Sequence, residues 1–150
     1  MSSGFRHLVR IKSTDLPGPL PVHLGLSRIS GVNRRLAHTI VRILGIPPTE
    51  RIGSLTDASI KDIESMLSDP TNLGVPEWML NRRKDRLTGK DIHLTEAQLI
   101  LQNKQDIERY IRIRCRRGIR HQFNLKVRGQ KTRTHGTVKG STVGVTKRRR

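Results

Sequence analysis

Half of the chain's 30 lysines and arginines fall between Arg109 and Arg150, and no aspartate or glutamate falls there. All 12 acids lie upstream, so most of the net charge of +18 belongs to the C-terminal stretch. This asymmetry limits what the chain can fold into more than any other feature. Like charges resist compaction, and a solvated fold has no need of a cation run without counter-charge. A polyanion whose phosphates neutralise the run accounts for it, which marks the chain as a nucleic-acid binder.

The length of 150 residues suits one ordinary domain, or a small domain with an appendage, and the break in charge favours the second. Upstream of the break, apolar residues recur often enough for a modest core. Downstream of Gly118 they thin to Ile119, Phe123, Leu125, Val127, Val138, Val143 and Val145. That is too little apolar surface to offset the entropy of ordering, so this segment is expected to fold only on its partner. The single cysteine, Cys115, permits no intrachain disulfide and fits a reducing compartment. No apolar run is long enough to span a membrane, and the first residues lack a signal-peptide core, so a soluble cytosolic protein is expected. Phe5, Trp78, Tyr110 and Phe123 are the only large aromatic residues. Binding should therefore lean on phosphates and shape more than on stacked bases.

Phe5 to Lys12 alternates apolar and polar residues and predicts a short strand, after which Pro17, Gly18, Pro19 and Pro21 predict an extended loop. Pro21 suits the first turn of a short helix through Leu24 to Ile29. From Ile29 to Val41 the sequence reads as helix, turn at Gly31, apolar plug at Val32, tolerant residue at Asn33, and a second helix to Leu44. Leu36, Ile40, Val41 and Leu44 share one face of it. Gly45 closes that helix, and Pro47 and Pro48 prevent its return. Thr56 is a natural N-cap for a third helix, with Leu55 and Ile60 at staple positions, and Asp69-Pro70 ends it. The loop-rich Val75–Asp85 stretch contains Trp78, which either packs inward or docks a neighbour; its apolar setting favours the core. A turn is expected at Thr88-Gly89. Thr95 and Gln98 form a capping box, and the last helix is expected from about residue 95 to 117, with Gly118 as its stop. The reading is all-α: a globular body over residues 1–117 with a long C-terminal helix, and an extended basic tail over residues 118–150.

The Gly31 turn resembles a helix-hairpin-helix element, apolar-Gly-apolar-Gly, with Asn33 in place of the second glycine. Such a turn aims backbone N–H groups and a helix N-terminus at a phosphate, and Gly31, Val32, Asn33, Arg34 and Arg35 would form the contact. Asn tolerates positive φ, which would keep the turn intact. A plain αα corner that only packs reads the same residues equally well. From Arg114 to Thr134, arginines alternate with glycines and small hydroxylated residues, so backbone can approach phosphates while guanidinium forks make bidentate contacts. The terminal Lys147, Arg148, Arg149 and Arg150 read as a tip reaching a phosphate backbone. The six histidines show no metal-ligand spacing. Asp62 with Glu64 and Asp106 with Glu108 diverge at i, i+2 on helices, and no phosphate-binding P-loop is complete. No enzyme, metal or cofactor is expected. A DNA-associated hairpin protein, and a nuclease or glycosylase using the same hairpin, are the rival classes. Preference for structured RNA over duplex DNA separates the first, and magnesium-dependent cleavage the second.

Arg117-Gly118-Ile119-Arg120-His121, then Val127-Arg128-Gly129-Gln130-Lys131-Thr132, resembles the ribosomal small-subunit protein S-thirteen family in order and spacing. The Gly31 hairpin, the Leu55-Thr56-Asp57 helix start and the helix before Cys115 fall in the family's order, so the resemblance spans nearly the whole chain. The Val75–Asp85 insert and the Thr142–Arg150 ending resemble the archaeal and eukaryotic branch. The resemblance implies a helix-two-turns-helix fold and a structural, ribosome-bound cytoplasmic protein of the small-subunit head, with its tail threading through rRNA toward the tRNA sites. It implies as partners small-subunit rRNA, tRNA, the small-subunit protein S-nineteen and, at intersubunit bridges, the large-subunit protein L-five and large-subunit rRNA. Carried over by position, Arg114, Arg116, Arg117, Arg120, His121, Arg128, Gln130, Lys131 and Arg133 would contact rRNA, with Lys126 and Lys139 in the same run. Lys147 to Arg150 would lie nearest tRNA. Asn124 and Lys126 stand where many members have Gly and Pro, a departure that removes no charge.

Overall fold

The computed structural model describes residues 4–71 and 74–132. The chain divides into two compact units, Met1–Ile100 and Leu101–Arg150. The first opens on a hairpin in which β1 (Leu8–Ile11) pairs antiparallel with β2 (Thr14–Pro17), Val9 opposite Leu16. Strand alternation sends Val9, Ile11 and Leu16 inward. β1 lies within the strand expected there; β2 spans Thr14 to Leu16, for which no element is expected, and Pro17, the first residue of the expected loop. Apart from this hairpin the regular elements among the described residues are helices, as expected.

Helix α1 (Val22–Leu26) follows Pro21 and gives way to turns before the expected end at Ile29. Helix α2 (Arg34–Ile43) starts at Asn33, whose side chain accepts the Leu36 N–H at 2.8 Å. It ends before Gly45, which takes the left-handed φ of +67°. Helix α3 (Asp57–Ser68) starts at Thr56, whose hydroxyl accepts the Ser59 N–H at 3.2 Å, with Leu55 and Ile60 both buried as a staple requires.

These elements enclose one core in which Ile11, Leu16, Leu26, Leu36, Ile40 and Ile63 are buried. Each such side chain contributes about 1.5–3 kcal/mol through its burial. The core fixes the Gly31 turn, because Val32 just before α2 is one of its members.

Helix α4 (Glu96–Arg112) begins otherwise than the capping box predicts. Thr95 turns its hydroxyl to Lys12, whose Nζ donates to it at 3.1 Å. Glu96 itself adopts φ +50°. Its carboxylate accepts the Ser13 N–H at 3.2 and 3.3 Å, the Ser13 hydroxyl, and the Thr14 hydroxyl at 2.5 Å. The Glu96 N–H donates to the Ser30 carbonyl at 2.9 Å. One residue thus ties the β-turn and the Gly31 turn to the start of α4. No residue of α4 is buried.

Trp78 also departs from expectation. It lies on a short 3-10 turn (Glu77–Met79) and is 61% exposed. The turn places Met79 against the core and Leu80 inside, which leaves the indole outward.

Candidate nucleic-acid interface

The expected helix to Arg117 is broken. α4 stops at Arg112, Arg114 takes φ +54°, and a second helix, α5 (Arg116–Gln122), follows. Cys115 makes the break workable. Its sulfur accepts the Gly118 N–H at 3.4 Å, capping α5, and its thiol donates to the Tyr110 carbonyl at 3.5 Å. Gly118 is therefore no helix stop but an interior residue of α5, and it is the only buried residue between positions 101 and 132.

α5 and the turn after it gather the cations of the C-terminal run. Arg116, Arg117, His121 and Arg128 line one hollow of about 820 Å³ together with Tyr110. His121, Lys126, Arg128 and Gln130 line a second of about 720 Å³. Asn124 at φ +53° allows the reversal between them, with the Leu125 N–H donating to the Arg120 carbonyl at 2.8 Å. Arg120 is partly structural, because its Nε donates to the Lys126 carbonyl. The Gln130 side chain accepts the Arg128 N–H at 3.1 Å. Arg114 and Lys131 are exposed but line neither hollow. Arg133, Lys139, Lys147, Arg148, Arg149 and Arg150 lie outside the described residues.

Neither hollow has an acidic residue among its lining residues, and none of these arginines is ion-paired among the described residues. Clustered cations repel one another, so the arrangement favours an external anion over a further cation. Ile113, Ile119, Phe123 and Leu125 are exposed beside them. Among the described residues of this unit Gly118 alone is buried, so little apolar surface stabilises it there.

In the first unit the hairpin residues sit as a tight corner. Gly31 has φ +99°, and a Cβ there would fall 2.5 Å from the Leu94 carbonyl oxygen. Asn33 does not stand in for a left-handed glycine. Its φ of −91° is extended, and its side chain occupies the Leu36 amide that a phosphate would otherwise contact. Arg34 and Arg35 are exposed beside that helix start. The packing role of the corner is evident, and two cations flank it.

A further cationic group lies in the insert and the turn that follows it, from Arg82 to Lys90. Asp85, 8% exposed, accepts Arg82 Nε at 2.6 Å, the Leu87 N–H at 3.3 Å, and the Thr88 N–H and hydroxyl at 3.2 and 3.0 Å. The Arg82 hydrogen bond chiefly, helped by Thr88 and against the effect of burial, holds its carboxyl down at about 2. Asp91 accepts the Lys84 N–H at 2.5 Å. Arg83, Lys84, Arg86 and Lys90 are left exposed and without ion pairs among the described residues. Sequence reasoning passed over them because Asp85 and Asp91 mask the local charge excess. The available signal was the density of cations in Arg82–Lys90. Among the described residues no group of His, Cys, Asp and Glu could hold a metal ion.

The model of a family described as "Ribosomal protein S13/S18" matches residues 10–138. The chain is 56% identical over 146 residues to the small ribosomal subunit protein uS13 of Staphylothermus marinus, covering 97% of this chain and 96% of that protein. The protein of the same name from Hyperthermus butylicus is 54% identical over 143 residues, covering 95% and 94%. That from Methanocaldococcus jannaschii is 43% identical over 149 residues, covering 99% of each. With the fold helical and the Arg-Gly-Ile-Arg-His and Val-Arg-Gly-Gln segments inside the matched span, the chain belongs to the ribosomal protein S13/S18 family.

Proposed function

We propose that this chain holds small-subunit rRNA in the two hollows of its C-terminal unit and carries its basic end toward tRNA. As an S13-family protein of the archaeal type it is a structural, non-enzymatic constituent of the small ribosomal subunit, ribosome-bound in the cytoplasm. The body over residues 1–117 positions the segment over 118–150. Arg116, Arg117, His121 and Arg128 grip phosphates, and Lys126, Gln130 and Lys131 extend the contact, with Arg114 and Arg120 framing it. Arg133 and Lys139 continue along the rRNA, and Lys147 to Arg150 reach tRNA. At the start of α2, where Gly31 and Val32 shape the corner and Asn33 caps the helix, Arg34 and Arg35 add a phosphate contact. The neighbours are the small-subunit protein S-nineteen and, across intersubunit bridges, the large-subunit protein L-five and large-subunit rRNA.

The carrying observation is the convergence of Arg116, Arg117, His121 and Arg128 on one hollow with no acid among its lining residues. Each neutralised phosphate steepens the fall of log K with log salt by roughly 0.7–0.9. Replacing Arg116, Arg117 and Arg128 with Gln should flatten that slope for small-subunit rRNA by roughly two to three units. An unchanged slope with full affinity would refute the grip. Cross-links from Lys147–Arg150 to tRNA in assembled ribosomes are expected, and their absence would refute that assignment of the tail.

A further inference from the structure

The insert between Val75 and Leu94 is built around its own cations. Its base is closed by Arg82 and Ile92, which exchange backbone hydrogen bonds at 2.9 and 3.3 Å. Asn81 clamps it further, donating to the Leu94 carbonyl at 2.6 Å and accepting the Leu94 N–H at 2.9 Å. Asp85 staples the tip. The loop is thus organised by hydrogen bonds that engage Asp85 and Asp91, two of its three acids, while Arg83, Lys84, Arg86 and Lys90 remain in solvent. A loop backbone ordered in advance loses little further entropy when its side chains meet an anion.

The base of the loop opens on a cleft of about 270 Å³. Trp78, Asn81 and His93 line it on the insert side, and Gly31, Asn33 and Arg35 on the α2 side. His93 is 7% exposed, and its Nε2 has no hydrogen-bond partner among the described residues. An indole left mostly in water, beside a guanidinium and a helix start, is a flat apolar surface in a cationic setting. That combination suits an unpaired base whose backbone phosphates lie over the neighbouring cations. Glu77 is the only exposed acid beside Trp78 on its turn, and no acid lines the cleft.

We propose that residues 75–94 form a second RNA-binding element, in which Arg83, Lys84, Arg86 and Lys90 hold a phosphate backbone while Trp78 and Arg35 receive an unpaired base. The proposal rests on the rRNA-binding reading above. It adds a contact separate from the C-terminal run, with an aromatic stack that the run's phosphate contacts do not require.

Trp78 is the only tryptophan of the chain, so its emission reports on this cleft alone. The full-length protein is titrated with small-subunit rRNA transcribed in vitro, with anisotropy of labelled RNA reporting total binding. Trp78 fluorescence should be quenched at least twofold, as stacking on a base requires, and should lose its accessibility to iodide. Replacing Arg83, Lys84, Arg86 and Lys90 with Gln should leave the circular dichroism intact and flatten the salt slope by up to roughly three units. The Arg116, Arg117 and Arg128 variant should still quench Trp78 at saturating RNA. Intact binding with unchanged Trp78 emission and an unchanged slope in the loop variant overturns the proposal and leaves the C-terminal grip standing. Protection of Trp78 in assembled subunits but not by rRNA alone overturns it in favour of a protein neighbour. Absence of any rRNA binding by the unaltered protein overturns both readings together.

Discussion

Gly118 lies flush against the backbone of Tyr110: a Cβ at position 118 would overlap the Tyr110 carbonyl oxygen and stand 2.7 Å from the Ile111 nitrogen. Both obstacles are main chain, so no rotamer change relieves them. The packing is what lets α5 fold back beside the end of α4, and it sets the spacing of Arg116 and Arg117 from Tyr110. Gly118→Ala should cost about 1–3 kcal/mol locally, the range for overpacking, or more where backbone must move. Because no other residue between 101 and 132 is buried, the loss should appear as loss of α5 and not as unfolding of the body. Hydrogen exchange of the α5 amides should accelerate while the body's urea midpoint stays put. Unchanged exchange would refute the packing argument.

At Asn33 the structure reverses the expected reason for the residue. With φ −91° and its side chain on the Leu36 amide, it acts as an N-cap and not as a left-handed turn residue. Asn33→Ala should lower stability by about 1 kcal/mol and Asn33→Gly by only a few tenths. A gain in stability for Asn33→Gly, measured by urea denaturation, would show instead that the position wants positive φ.

Local signals carried well where a side chain acts on its own backbone. Thr56, and Gly45 before Pro47, each sit at the boundary that their chemistry dictates. The break at Arg114 was not legible. Ile111 to Arg117 contains neither Gly nor Pro, and the chain turns there through a cysteine cap and a contact with Tyr110 that only tertiary structure reveals. The capping box at Thr95 failed for a similar reason, since Lys12, 83 positions away, claims the hydroxyl. Charge asymmetry located the C-terminal run and, with Asp85 and Asp91 diluting it, passed over the insert. Trp78 went to the wrong side because its apolar neighbours Met79 and Leu80 take the interior.

Glu96 gives an inverted helix-propensity test. In an ordinary helix Gly is worse than Ala by about 0.8–1.0 kcal/mol. Here φ is +50°, where Ala is strained by about 1–2 kcal/mol and Gly is not. Both substitutions lose the bonds to Ser13 and Thr14, so the difference between them isolates the backbone. Glu96→Gly should therefore match or exceed Glu96→Ala in thermal stability, with both below the parent. Ala above Gly by the usual margin would mean that the left-handed start of α4 is not populated.

Acid should act first on the insert and the α4 start. Asp85 is held down at about 2, against a usual value of 3.8, chiefly by the Arg82 hydrogen bond. The native state thus binds this proton less readily than the unfolded chain, so the contribution to stability is fully present above about pH 4 and is lost as pH falls toward 2. Glu96 adds in the same direction: burial alone would raise its pKa, but the Ser13 and Thr14 hydrogen bonds outweigh that and lower it. His93, lowered by burial and by the charge of Lys12, begins its own loss as pH falls below 6.5. Asp85→Asn keeps the size of the side chain and removes the titration. Its urea midpoint should lie below the parent's at pH 7, and the two curves should converge between pH 4 and 2. Exchange of the Leu87 and Thr88 amides, which Asp85 accepts directly, should rise in the parent over that same interval and stay flat in the variant. Parallel midpoint curves across the interval would mean that the carboxylate contributes nothing to the stability of the loop whose amides it accepts, and that Arg82 is held by other partners.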